Sequence, residues 1–355
     1  MNYITQLTFL RFIAALLIIV FHFGSTTAPF DTGFINAFVR EGSIAVSFFF
    51  FLSGTVLFLT YGTKSRIHPR QFYLKRFARI YPVYVIAFLI TLLLGMFVLN
   101  AYPKGLAIIL QLFSLHAWYP GSCLSINFPG WSISVEVFFY LLFPVIMYLL
   151  RKLSFKQQVI LICSVWLLSL AQHYYFIYHL HLPPGPESDQ FMLYFPLWHL
   201  NTFLFGILAG SIIQRMQQTE KKHFNAARLS YVVGSVLFVL LLVTNNPFRP
   251  LVHNGGMSPL FLLIIVGLAM DRSLITKALS HNYCILLGNA SYSMYILQWP
   301  VYIIFGQLFG TDTLSGASFY TYLISLITIS CITYFFFEKG MRSFILRKWG
   351  RSDTA

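Results

Sequence analysis

Leu10-Arg11-Phe12-Ile13-Ala14-Ala15-Leu16-Leu17-Ile18-Ile19-Val20-Phe21-His22 is apolar at every position except Arg11 and His22. With Leu7 and its neighbours ahead of it, the run reaches the roughly 17–25 residues that a membrane-spanning helix needs. At about 1.5 Å of rise per residue the arginine and the histidine stand roughly 16 Å apart along the axis, about three turns, and so share nearly one face. Ionisable groups inside a span are expensive and mark functional paths. Taken singly, Arg11 also reads as a snorkelling topology signal and His22 as an interfacial residue. Their shared face argues that both point into a helix bundle.

The whole chain agrees with that opening. Of 355 residues, 57% are hydrophobic and 10% charged, against roughly 25% charged in soluble domains. The mean hydropathy is +0.72. The fold class expected is all-α, a polytopic membrane helix bundle read as one integral domain over 1–355. Its spans are expected near 7–23, 43–61, 81–99, 131–150, 157–174, 191–213, 229–245, 257–270, 284–308 and 317–337. The apolar stretch 105–118 is too short to cross and reads as a re-entrant or interfacial piece. Because Arg11 lies within its apolar run, the first span is expected to be retained rather than cleaved as a signal peptide.

Charge orients the bundle. The connectors 62–80, 151–156, 214–228, 271–283 and the tail after 338 hold 20 of the 24 Lys and Arg. All five lie on one side only if 105–118 does not cross, and the side rich in Lys and Arg is cytoplasmic. Both termini are therefore expected in the cytoplasm, with only Arg40, Lys104 and Arg249 in the outer connectors. The net charge of +14 is explained by topology and a cytoplasmic anion site, and nucleic acid is not an expected partner. The stretch from Leu182 to Asp189 is expected to be an exposed irregular loop by its prolines. Cys123, Cys163, Cys284 and Cys331 have neither disulfide nor metal-ligand spacing. Cys123 is expected to be the exposed thiol.

Three further elements bear chemistry. Trp131-Ser132-Ile133-Ser134-Val135-Glu136-Val137-Phe138-Phe139-Tyr140 places Glu136, the one carboxylate expected within a span, about a turn and a half from the outer surface. That is the depth expected for His22, and a carboxylate orients a histidine and stabilises its imidazolium. A plainer reading has Ser132 and Ser134 satisfying Glu136. Arg70-Gln71-Phe72-Tyr73-Leu74-Lys75-Arg76-Phe77-Ala78-Arg79 sets Arg76 and Arg79 on one helix face, suited to phosphate and equally to anionic lipid. Gly288-Asn289-Ala290-Ser291-Tyr292-Ser293-Met294-Tyr295-Ile296-Leu297-Gln298 places polar groups inside an apolar run, either lining a cavity or bonding between helices.

These elements, in this order, resemble the membrane-bound acyltransferase family 3, O-acyltransferases of bacterial surface polysaccharides. Arg11 and His22 are similar to its arginine, ten residues, histidine signature. Phe48-Phe49-Phe50-Phe51-Leu52-Ser53-Gly54 resembles its aromatic run ending in Leu-Ser-Gly. Arg76-Phe77-Ala78-Arg79-Ile80-Tyr81-Pro82, Trp131 to Glu136, Gly288 to Pro300 and Phe337-Glu338-Lys339 follow the family's later motifs. Departures are Val137 and Phe138 where a second acid and a glutamine are frequent, Gln298 where histidine is common, and Gly340 in place of proline.

The resemblance implies transfer of an acyl group, most often acetyl, from acyl-CoA as co-substrate to a glycan or lipid-linked saccharide hydroxyl, with no bound cofactor. It implies His22 as base and Glu136 as its partner. Lys75, Arg76 and Arg79 would hold the CoA phosphates, and the pantetheine arm would pass Arg11. Direct attack is favoured over an acyl-histidine. Ser53, Ser134, Tyr140, Asn289, Ser291, Tyr292, Tyr295 and Gln298 are expected to line or support the cavity. The location implied is a bacterial inner membrane, among its lipids and with a polysaccharide biosynthesis complex as a partner. The rival classes are a transporter or flippase for a lipid-linked or anionic solute, which also wants intramembrane charge, and a scaffolding partner.

Overall fold

The computed structural model describes residues 4–180, 183–218, 224–244 and 249–350. Leu182, Lys221, Lys222, residue 245 and Arg351, which enter the expectations above, lie outside these. The described residues form helices and connecting turns, with no strand among them. In chain order the α-helices are α1 (Gln6–Ile19), α2 (Gly33–Val39), α3 (Ile44–Tyr61), α4 (Pro69–Phe97), α5 (Gly105–Leu112), α6 (Trp131–Leu150), α7 (Phe155–Tyr178) and α8 (Pro186–Tyr194). They continue as α9 (Leu200–Gln218), α10 (Phe224–Val243), α11 (Ser258–Met270), α12 (Leu274–Leu279), α13 (Asn282–Phe309), α14 (Ala317–Ile332) and α15 (Lys339–Trp349).

Among the described residues, eight helical stretches are long and apolar enough to cross a membrane. A ninth is the pair Arg249–Gly256 and Ser258–Met270, bent by 52° where Gly255 adopts φ 105°. The expected span 284–308 falls on α13, 28 residues long, whose Asn289, Gln298 and tyrosines lower its hydropathy. The chain is thus an all-α polytopic membrane protein. The apolar stretch 105–118 folds into α5, eight residues long, too short to cross.

Close helix crossings organise the bundle. Where α3 meets α9, a Cβ on Gly206 would stand 2.0 Å from the Phe51 carbonyl oxygen and one on Gly54 2.2 Å from that of Phe203. Where α1 meets α13, a Cβ on Gly288 would stand 2.1 Å from the Thr8 carbonyl oxygen. Hydrophobicity does not discriminate between helix and lipid, so such small-residue contacts bring backbones together. The principal core, with Ile18, Phe50, Phe139, Phe143, Ile296 and Tyr322, runs between α1, α3, α6, α13 and α14.

Three expectations are corrected. The basic stretch read as part of the 62–80 connector is helical from Pro69, and its last part is the first three turns of a 29-residue α4. Pro69 sits in the first turn, where its fixed φ favours helix and its missing N–H is not needed. Pro82 is inside α4, as membrane helices tolerate. The loop expected up to Asp189 ends at Gly185: Pro186 opens α8, with Glu187 and Asp189 in its first turn, where acidic side chains complement the helix dipole. Cys123 is buried, 1% exposed, because its loop folds back onto the core and its thiol donates to the Tyr119 carbonyl at 3.7 Å. Burial pushes that thiol up to about 11.

Candidate active site

Helical spacing brings polar side chains from α1, α3, α4, α6 and α13 onto one cavity. On α6, Ser132, Glu136 and Tyr140 recur every fourth residue and so share a face. On α13, Gly288, Ser291, Tyr292 and Tyr295 do the same at spacings of three and four. On α4, Arg76 and Arg79 are three apart. Arg11 reaches in from α1, and Ser53 from the turn of α3 that Gly54 holds against α9.

The carboxylate of Glu136 is held by two hydroxyls. Ser53 Oγ donates to it over 3.1 Å and the Tyr140 hydroxyl donates from the next turn of α6. The Arg76 guanidinium lies over the rings of Tyr61, Phe72 and Tyr140 at 6.0, 5.8 and 5.8 Å. Its Nε is buried without a hydrogen-bond partner. Buried charged donors are normally paired; here the ring faces of Tyr61, Phe72 and Tyr140 lie against the guanidinium. Beneath the cavity, Ser132 Oγ donates to the Tyr295 hydroxyl at 2.8 Å, and the Tyr292 hydroxyl donates to the Ile80 carbonyl at 2.8 Å, tying α13 to α4.

A second cavity adjoins the first, sharing Arg11 and Val56 with it. It lies among the starts of α1 and the ends of α3 and α9, lined also by Thr60, Thr63, Gln214 and Gln217. On the charge-derived topology this is the basic side of the molecule.

Ten of the fourteen residues singled out from sequence line the first cavity: Arg11, Ser53, Arg76, Arg79, Glu136, Tyr140, Asn289, Ser291, Tyr292 and Tyr295. Lys75, Ser134, Gln298 and His22 do not. Lys75 sits one residue off the Arg76 face. Ser134, two positions from both Ser132 and Glu136, points to the opposite side of α6 and accepts from the Ala117 N–H at 3.4 Å. Gln298, fully buried, donates to the Tyr295 carbonyl at 2.7 Å.

His22 lies in a π-helical turn, Val20–Gly24, that continues α1. It is exposed, with its ring edge-on to Phe128 at 4.8 Å between centroids and tilted against Phe21 at 4.8 Å. The expected contact with Glu136 is not made, since Glu136 pairs with Ser53 and Tyr140 instead.

Two functional candidates escaped the sequence reading. Glu338, expected at the start of a cytoplasmic tail, ends a π-helical turn that continues α14 and is buried at 8% exposure. It accepts from Ser293 Oγ at 3.1 Å, so Glu136 is not the only carboxylate inside the bundle. Arg342, in the first turn of α15, has Arg79, Arg76 and Glu338 as its charged neighbours. Phe337-Glu338-Lys339 was visible as a motif. That α15 folds back onto α4 was not.

Fold and site together define a multi-pass helical membrane protein with an arginine-lined internal cavity built around a carboxylate. The model of a family described as an acyltransferase domain matches residues 4–336; the chain belongs to this family, as the resemblance read from its motifs implied. The acyltransferase MdmB of Streptomyces mycarofaciens is 32% identical over 43% of this chain and 41% of its own length. The putative peptidoglycan O-acetyltransferase YrhL of Bacillus subtilis is 23% identical over 99% of this chain and 56% of its own. The peptidoglycan O-acetyltransferase OatA of Listeria monocytogenes is 21% identical over 84% and 49%. The chain spans about half the length of the curated relatives it matches. No solved structure matches it.

Proposed function

We propose that this chain transfers an acyl group, most simply acetyl, from cytoplasmic acyl-CoA to a hydroxyl of an exported glycan or its lipid-linked precursor. The observation that carries the reading is the convergence of Arg11, Arg76, Arg79 and Glu136 on one cavity in a chain of acyltransferase lineage. The names of two relatives make peptidoglycan one acceptor class to test. The membrane proposed is a bacterial inner membrane with both chain termini cytoplasmic, in company with polysaccharide biosynthesis machinery. Family membership favours group transfer over the transporter reading.

In the proposed reaction the CoA phosphates lie against Arg76 and Arg79, with Lys75 at the rim, since guanidinium forks match phosphate oxygens. The pantetheine arm runs inward past Arg11. His22 removes the proton from the acceptor hydroxyl as its oxygen attacks the thioester carbon. The C–O bond forms, the C–S bond breaks, and the departing CoA thiolate takes the proton from the imidazolium. Glu136, fixed by Ser53 and Tyr140, acts on that imidazolium through space as a negative charge rather than as a hydrogen-bonded partner.

The test is acetyl-CoA binding to the protein in nanodiscs at low and moderate salt, wild type against Arg76→Ala/Arg79→Ala, with acetyl transfer measured beside it. Micromolar binding that collapses in the double variant, together with a His22→Ala variant that binds but does not transfer, is expected. Folded wild type that binds no acyl-CoA would overturn the reading.

A further inference from the structure

A third cavity lies toward the other ends of α4 and α13 and shares no lining residue with the first two. Its walls are α4 from Thr91 to Gly95, α13 at Trp299 and Ile303, and the connecting chain around Tyr102 and Ser125. On the topology expected from charge this is the outer side. Leu99, Tyr102 and Leu124 are exposed at its rim, while Thr91, Ile126 and Ile303 are buried. The turn that closes it is specified. The Ala101 N–H donates to the Gly95 carbonyl at 2.8 Å, and Asn100 takes φ 52°, which asparagine tolerates better than most residues.

Two observations make this a site rather than a packing gap. Gly95 differs from Gly54, Gly206 and Gly288, because a Cβ there would meet nothing nearer than the Ala101 carbonyl oxygen at 3.8 Å. Glycine inside a helix costs stability against alanine, and no close crossing requires it here; its missing side chain leaves the cavity open. The cavity also abuts His22. Phe128 lines it and lies between it and the imidazole, 4.8 Å away between centroids. Trp299, also in the lining, is edge-on to Phe128 at 5.4 Å. Aromatic faces with a few hydroxyls suit the apolar C–H face of a sugar. Among the described residues no charged side chain lines the cavity, and its exposed apolar rim suits a hydrocarbon chain. We propose that this cavity is the acceptor site and holds the saccharide end of a lipid-linked glycan, with the apolar carrier at the rim. The proposal rests on the acyl-transfer reading above and selects the lipid-linked precursor over the finished polymer. Donor and acceptor then enter from opposite ends of α4 and α13, and the acceptor hydroxyl reaches His22 around the edge of one ring.

The experiment gives radiolabelled acetyl-CoA to the full chain in nanodiscs with two acceptor fractions from bacterial cells that carry this chain: the solvent-extracted lipids and the polymeric glycan. Wild type should place base-labile label in the lipid fraction. Gly95→Leu, which grows into open space, should raise KM for that fraction about tenfold and leave acetyl-CoA affinity and melting temperature unchanged. Tyr102→Ala, at a rim position 73% exposed where folding is not at stake, should raise it about threefold. Label confined to the polymer, or a KM unmoved in both variants, overturns the proposal. Wild type that labels neither fraction overturns the acyl-transfer reading instead.

Discussion

Glu136 illustrates how much a single side chain's partners decide. Its two hydroxyl donors remain satisfied by an amide oxygen, so Glu136→Gln removes the charge with little change of shape. Acetyl transfer should fall by about 100-fold, within the range for loss of acid–base support. Acyl-CoA affinity should hold or rise slightly, because an anion has left an anion site. Unchanged turnover would show that the carboxylate serves packing alone. A second residue, His116, is fully buried between α5 and α6. Burial pushes its pKa down from 6.5 to about 4, against smaller support from the Gly130 and Leu110 backbone. The unfolded chain therefore binds the extra proton between those values, and the stability contributed is complete above pH 6.5 and lost as pH falls. From pH 7 to pH 5 that loss is about 2 kcal/mol. His116→Gln should flatten this part of the stability–pH curve in nanodiscs; identical curves for both proteins would refute it.

Helix crossings, at the scale of the element, set the cavity's width. The α3–α9 contact leaves no room for a methyl group at Gly206, whose Cβ would meet backbone rather than a movable side chain. Gly206→Ala should separate the helices and destabilise the fold by about 1–3 kcal/mol. Because Ser53 lies beside Gly54 on that same crossing, the variant should also loosen the Ser53–Glu136 bond and lower transfer. An unaltered melting temperature would mean that the crossing is plastic. Periodicity revealed the helices but could not reveal which glycines carry crossings, since that depends on the partner helix. It also left the basic helical stretch in a connector ahead of a span beginning at 81, whereas one helix runs through both.

Topology belongs to the scale of the whole molecule. With the native cysteines replaced by alanine, a cysteine at Ser315 should be labelled by an impermeant maleimide in intact cells. One at Lys152 should be labelled only after the membrane is opened. The opposite pattern would invert the charge-based orientation. On the outer side expected from charge, Arg249 pairs with Glu41, so one of the few cations there is neutralised locally.

Composition and hydrophobic run length by themselves determined that this chain is a helical membrane bundle, because burying backbone in lipid leaves few other solutions. Ordered local motifs determined its family, and residue type at helical spacing singled out most of the cavity lining. Tertiary structure alone decided that Glu136 bonds Ser53 and Tyr140 rather than His22. It alone showed that Cys123 is covered and that Glu338 is inside. Apart from the Glu136–Tyr140 bond within α6, these are meetings of groups distant in the chain, set by helix rotation and crossing. A sequence pattern reports the face of one helix, whereas a site is made where the faces of several meet.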